Sequence, residues 1–371
     1  MKGTLVLSQI WVIVYGGKYS FHGRIISTYI FQGVVLLAIP FLVLVGPNFG
    51  FYSTFILLIL FGLFGGVCQC SIFSMSGGLP SKNTAALMLG PGICGCVTIG
   101  LRFIVLALYP SRDFASLWKG AFFSYAFAAG FLFLCAFLQW RLGKNEYALY
   151  HLKKFPGFKP EGGDNHDEVR LSVCQEKEVT VRAVLENIRE NFNNTRGLLY
   201  AIAGCFFFTM IIFPGWTNDS YFNFLANTVR PESWYQVTCV TIFSFVECPG
   251  AYIANTKWGA ISLETAKSTS YYRVIFILTF VLVAFECPPV WLFGADWFKV
   301  TNFCIFAFTL GYHSTMCAKY VPGVVHPTKR AQATAYISIC ISVGILLGTF
   351  GEALSTPLLN LTPKIKNGGK H

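Results

Sequence analysis

Residues 62–102 read GLFGGVCQCSIFSMSGGLPSKNTAALMLGPGICGCVTIGLR, two apolar segments joined at a short Gly-Pro turn, each with one conspicuous polar side chain, Gln69 and Arg102. On a helix, Gly62, Gly66, Gln69 and Phe73 follow i, i+4, i+7, i+11 spacing, which puts a smooth glycine track and an amide on one face. A surface facing lipid needs neither feature. Small residues at four-residue spacing let helix backbones approach closely in a bilayer, and polar side chains there face a bundle interior or a water-filled path. The pair predicts the wall of a solute pathway.

The rest of the chain has the composition of a membrane protein. Of 371 residues, 54% are hydrophobic, 17% aromatic and only 12% charged, with 37 Phe, far from the balance of a soluble domain. A bilayer core of roughly 30 Å takes about 20 helical residues to cross. Ten apolar runs of suitable character recur, at 4–16, 25–46, 52–76, 84–109, 118–140, 198–214, 235–254, 272–293, 300–319 and 332–355. The first lacks a small-x-small cleavage site at Gly16, Gly17 and Lys18, so it reads as a span rather than a signal peptide. The expected fold is all-α, with about ten transmembrane helices. A polar segment, 141–197, divides an N-terminal bundle (1–140) from a C-terminal bundle (198–356), followed by a short extracellular tail (357–371).

Placing 141–197 in the cytoplasm gathers nineteen Lys and Arg on that side, Arg273 among them, against eight on the other. The positive-inside rule selects this orientation, with both termini outside. The net charge of +11 is then mostly a topology signal, with added attraction to anionic lipid. No basic stripe with interleaved aromatics stands outside the loops, so nucleic acid is not an expected partner. Within the loop, Pro156, Gly157, Pro160, Gly162 and Gly163 mark a flexible linker, and Val179–Asn191 has helical periodicity suited either to an interfacial helix or to a solvated one. Sequons at Asn218 and Asn360 fall on the predicted outer side.

Thirteen Cys lie mostly inside spans, without zinc-site spacing, and read as small packing residues; no metal is expected. Paired carboxylates, His clusters and a Ser-His pair at membrane depth are not evident, and Gly90-Pro91-Gly92 is not followed by Gly-Lys-Ser/Thr. An enzyme and an ATP-driven pump are disfavoured, and no cofactor is expected. What remains is a sparse set of single polar groups. Gln69 can accept from and donate to a base edge or sugar hydroxyl, or brace two helices. Arg102 is too deep in its run to snorkel easily. Glu247, in TCVTIFSFVECPGAYIA, is a carboxylate within a span two residues before Pro249, able to accept ribose hydroxyls or to take up a proton. Glu286 and Glu352 fall near outer ends, where solvation accounts for them. His313, beside Tyr312 in FTLGYHSTMCAKY, suits an interhelical hydrogen bond or a pathway lining.

These residues carry a resemblance. Gly65-Gly66-Val67-Cys68-Gln69, then Gly78-Leu79-Pro80 and Gly90-Pro91-Gly92-Ile93-Cys94-Gly95, is similar to the fourth and fifth helices of equilibrative nucleoside transporters, with Arg102 resembling an Arg of plant and protist members. His22-Gly23-Arg24-Ile25 resembles the loop after the family's second helix, Phe213-Pro214 its seventh helix, and Tyr271-Tyr272-Arg273 the start of its ninth. Thr309-Leu310-Gly311-Tyr312 resembles its tenth, and Ala331-Gln332-Ala333-Thr334-Ala335 through Gly344 and Gly348 its eleventh.

The resemblance implies a major-facilitator-like architecture of two helix bundles working by alternating access without ATP, facilitative or proton-coupled. It implies a nucleoside or nucleobase solute, membrane lipid as surroundings, and the plasma membrane or an internal one as location. On it, Gln69 contacts the base, Glu247 stands at the Asp that helps hold ribose, and Phe213 forms an apolar wall. Ser244 and Gly65 complete the solute set, and Arg102, Tyr312 and His313 line the path or brace the bundle. Two departures stand out: Ala251 replaces the Arg that usually follows the acidic residue by four positions, and the chain starts in the family's second helix. The alternative function is a transport-inactive membrane protein derived from such a carrier.

Overall fold

The computed structural model describes residues 2–16, 19–109, 113–152, 181–216, 231–285 and 287–361. Among the described residues regular structure is entirely helical. The helices are α1 (Lys2–Tyr15), α2 (Phe21–Val45), α3 (Pro47–Gly77), α4 (Ser81–Leu108), α5 (Phe114–Leu142), α6 (Glu146–Leu152), α7 (Val181–Ile211), α8 (Pro231–Asn255), α9 (Leu263–Tyr271), α10 (Ile275–Ala284), α11 (Val290–Phe293), α12 (Asp296–Tyr320) and α13 (Arg330–Leu361). Among the described residues eight stretches are long and apolar enough to cross a membrane; α1 is shorter, and α12, which carries Asn302, Thr309 and His313, is not one of the eight. Residues 153–180 of the 141–197 loop, the Asn218 sequon, Lys18, Glu286 and the tail beyond Leu361 lie outside the described residues.

Two expected boundaries move. The periodic segment after the linker is not a separate surface helix, because α7 runs unbroken from Val181 into the following span. Asn191 anchors it by donating from Nδ2 to the Lys329 carbonyl (3.2 Å) and to Gln332 Oε1 (3.1 Å). The run expected at 272–293 instead occupies Leu263–Ala284. Ser262 caps its start by accepting from the Thr265 amide at 3.2 Å, and Lys267 pairs with Glu264 at 2.6 Å, so a polar first turn is a stable beginning that hydropathy alone misses. Arg273 is therefore not a cytoplasmic-end cation but lies well inside a spanning segment.

The helices group into two compact units that interleave along the chain: Met1–Thr84, Leu108–Arg196 and Val321–Ile339 form one, and Ala85–Ala107, Gly197–Tyr320 and Cys340–His371 the other. In the first, α2 packs against both α3 and α5, and α1 lies on α3. Its core gathers Ile25, Cys68, Met75, Ala148 and Leu152, with a satellite of Val12, Cys70 and Ala335. In the second unit α8 and α12 form the main helix pair, and the core is aromatic: Trp216, Phe243, Phe276, Phe280, Phe303 and Phe306. Outward positions such as Phe49, Phe55, Phe131 and Phe137 are exposed, as a lipid-facing surface requires and a water-facing one would not tolerate.

Backbone approach sets the α8–α12 crossing. A Cβ on Gly311 would run into the Glu247 carbonyl and stand 2.9 Å from the Ala251 nitrogen, and one on Gly250 would meet the Phe308 carbonyl and the Tyr312 nitrogen. Gly311→Val should therefore cost about 1–3 kcal/mol or more by overpacking, read as a lowered Tm of the detergent-solubilised protein, whereas the same change at Gly130, where the added carbon meets nothing within 4 Å, should leave Tm nearly unmoved.

Candidate functional site

Gln69 and Gly65 sit on α3 in the first unit. The glycine track behaves as its spacing predicts: Gly62 and Gly66 are buried, and a Cβ on Gly66 would collide with Ser8 and the Leu5 carbonyl of α1. Gln69 is half-buried, and its Oε1 accepts from Gln9 Nε2 at 3.2 Å. Gly65 faces α2, where a Cβ would lie 3.1 Å from Gln32 Nε2. That position is one of close helix packing.

Phe213, Ser244, Glu247, Arg102, Tyr312 and His313 belong to the second unit. At Phe213 the backbone leaves helical geometry (φ −115°, ψ 130°), which turns its ring into the aromatic core. The ring stacks on Phe243 with centroids 4.7 Å apart and planes 4° from parallel, and lies 5.7 Å from Phe303. Ser244 is buried against Gly95 of α4, where only a hydrogen in place of a side chain leaves it room. Glu247 is half-buried one turn further along α8. Its carboxylate makes no hydrogen bond among the described residues, and Arg273 is its electrostatic neighbour.

Arg273 is the residue that sequence reading missed. It sits in the tightened turn Tyr272–Val274 between α9 and α10 and is only 1% exposed. Its guanidinium donates from Nη1 to the Phe306 carbonyl (2.9 Å) and to Thr309 Oγ1, and from Nη2 to Thr209 Oγ1 (2.9 Å). The rings of Phe306 and Phe276 lie 5.0 and 5.8 Å from it, within cation–π range. An Arg at the end of a run invites a snorkelling reading. The signal that could have found it is the capped polar turn Ser262–Lys267, which sets the helix start nine residues before the expected position.

The other polar groups divide. Tyr312 donates its hydroxyl to the Gly259 carbonyl at 2.7 Å, and His313 Nδ1 lies 3.4 Å from Thr269 Oγ1, so both brace neighbouring segments. Arg102 is exposed on α4 beside Phe103 and Ile104 and makes no hydrogen bond or ion pair among the described residues. Glu352, expected to be simply solvated, is half-buried against the backbone of Gly215.

A sequence model described as Nucleoside transporter matches residues 55–352, most of the chain and all of these positions except the α1 and α2 partners. The chain belongs to the nucleoside transporter family. Among its relatives are equilibrative nucleoside transporter 1 of Homo sapiens, 24% identical over an alignment of 344 residues that covers 86% of this chain and 70% of that protein, and its Rattus norvegicus counterpart, 24% identical over 80% and 67%. Solved structures of the major facilitator superfamily share the fold. The proton:xylose symporter XylE bound to 6-bromo-6-deoxy-D-glucose superposes with a TM-score of 0.60 over 97% of this chain and 78% of that one, at 10% identity, and a double-Trp XylE mutant does so at 0.51. This member of the family is thus a multi-pass membrane protein of major-facilitator fold that transports nucleosides.

The electrostatic neighbours Glu247 and Arg273 in the second unit make a measurable statement. Arg273→Gln leaves Glu247 without its cation, and Glu247→Gln leaves Arg273 without its anion, so the double variant should lose less stability than the two single losses added together. A coupling of about 0.5–3 kcal/mol is expected from a thermal-unfolding double-mutant cycle; strict additivity would show that the two groups do not interact.

Proposed function

We propose that the protein carries nucleosides, with nucleobases as the neighbouring solute class, by alternating access at the plasma membrane. In this reading Gln69 of the first unit is the base contact, and Glu247 and Phe213 of the second unit are the ribose and apolar contacts, with Ser244 one turn before Glu247 on α8. The observation that carries it is the family match over residues 55–352, which takes in all four of these residues. Three features support it. Gln69 is half-buried with one end of its amide engaged and the other available. The Glu247 carboxylate, unsaturated by hydrogen bonds among the described residues, can accept from a sugar. The stacked Phe213–Phe243 pair offers a flat apolar surface.

The same carboxylate supports a proton as co-substrate, since a carboxyl at membrane depth marks ion or proton pathways. Lipid is the surrounding partner of the exposed Phe, Leu and Ile side chains.

The test is uptake of labelled adenosine, uridine and hypoxanthine into intact cells of a transport-deficient host. Saturable uptake of at least one nucleoside is expected, and Gln69→Ala should reduce its kcat/KM roughly tenfold, the worth of one good hydrogen bond. Proton coupling would appear as uptake that rises when external pH falls and loses that dependence in Glu247→Gln. Uptake no greater than in the empty host would remove the reading.

A further inference from the structure

We infer that Gln9 is a positioning residue for Gln69, fixing which end of the Gln69 amide is offered to solute. The inference rests on the reading that Gln69 contacts the base. It starts from an unusual burial: Gln9, on a helix only 14 residues long, is 0% exposed. A primary amide away from water is costly unless its polar atoms are paired. Among the described residues its side chain has a single hydrogen bond, Nε2 to Gln69 Oε1 at 3.2 Å, and its own Oε1 is buried without a partner. Packing alone gives no reason for an amide here, since a Leu or Met would fill the same space at no polar cost. The bond to Gln69 is what the residue contributes.

The register that delivers this bond is held tightly. One turn before it, Gly66 lies under Ser8 and the Leu5 carbonyl with no room for a side chain. One residue after Gln69, the Cys70 thiol points at the Gln9 carbonyl at 3.8 Å, and Val12 and Cys70 share a buried cluster. A slip of α1 along α3 would break all of these together. With its Oε1 engaged by Gln9, Gln69 is left with its NH2 group as the outward end, so it is presented to a base as a donor. The solute atom it would meet is an acceptor: a ring nitrogen of a purine or a carbonyl oxygen of a pyrimidine. Without Gln9 the amide could turn over and offer either end, and discrimination between solutes with and without that acceptor would fade.

The experiment uses the full-length protein purified in detergent, with thermal stabilisation by adenosine, 1-deaza-, 3-deaza- and 7-deazaadenosine, and purine riboside, which lacks the 6-amino donor. In the unaltered protein at least one deaza analogue should bind about three- to tenfold more weakly than adenosine, the range of one hydrogen bond. In Gln9→Met, which keeps the volume, that ratio should fall toward one while the protein without ligand still unfolds cooperatively. Gln9→Glu keeps the shape, has no NH2 to give to Gln69, and should lose or invert the same ratio. A merely structural Gln9 would lower stability and leave the ratio unchanged, which would overturn the inference alone. So would weaker binding of purine riboside together with undiminished binding of every deaza analogue, because that would make Gln69 an acceptor. Absence of stabilisation by any nucleoside would overturn both the inference and the reading beneath it.

Discussion

Where α8 crosses α12, backbone meets backbone, and much of the second unit depends on that contact. Gly250 and Gly311 each sit under a carbonyl of the opposite helix, so the two axes approach as closely as peptide groups allow. In a bilayer no hydrophobic force draws apolar helices together, and close van der Waals fit has to supply the association. The crossing also has a positional consequence. It holds the Glu247 carbonyl and the Ala251 amide against α12, and in the same helix it aligns Phe306 and Thr309 beneath Arg273. Tight packing at two glycines and a buried cation hydrogen-bonded through its two Nη groups are therefore parts of one arrangement.

Arg273 survives at 1% exposure because its neighbours are already committed in the right direction. Thr209 donates its hydroxyl hydrogen to the Cys205 carbonyl one turn back, and Thr309 donates to Phe306 in the same way. Each hydroxyl then has lone pairs facing outward, and the guanidinium donates into them. Many other Ser and Thr in the spans bond only to their own helix: Ser71 to Val67, Thr241 to Val237, Ser314 to Leu310. Such residues need no partner and carry little functional meaning. Side chains too long for that local solution, Gln9, Gln69, Glu247 and Arg273, must find each other or a solute, and they are the ones around which function is argued.

This distinction explains what could be read in the chain and what could not. Span positions were legible because a bilayer imposes length and apolarity, and the face shared by Gly66 and Gln69 was legible because helical spacing is local. Phe213 was placed through resemblance, and its stacking on Phe243 depends on a backbone departure that no periodicity announces. The start of the eighth expected run was misplaced because Leu263–Tyr271 is polar in composition yet begins with a cap and an ion pair. Hydropathy weighs residues; it does not see their bonds. Gln9 escaped notice for a similar reason, since one amide in an apolar run acquires meaning only when its partner, sixty residues away, is known.

Ala251 shows the same logic at a departure from the family pattern. The resemblance leads one to expect an Arg there, four residues after the acidic side chain. In this chain residue 251 is 2% exposed, and its amide nitrogen lies 2.9 Å from where a Cβ on Gly311 would stand. A guanidinium stem at that point would have to force apart helices that the paired glycines hold together. Residue 251 is buried beside this crossing, so a longer side chain there would have to displace its neighbours. Arg273 acts on Glu247 through space, with no ion pair between them among the described residues, and its guanidinium is held by Phe306 and Thr309 of α12. Small residues at the crossing and a cation brought in from another helix are a self-consistent solution, and replacing Ala251 alone by Arg would restore the family pattern while destroying the packing that makes it unnecessary.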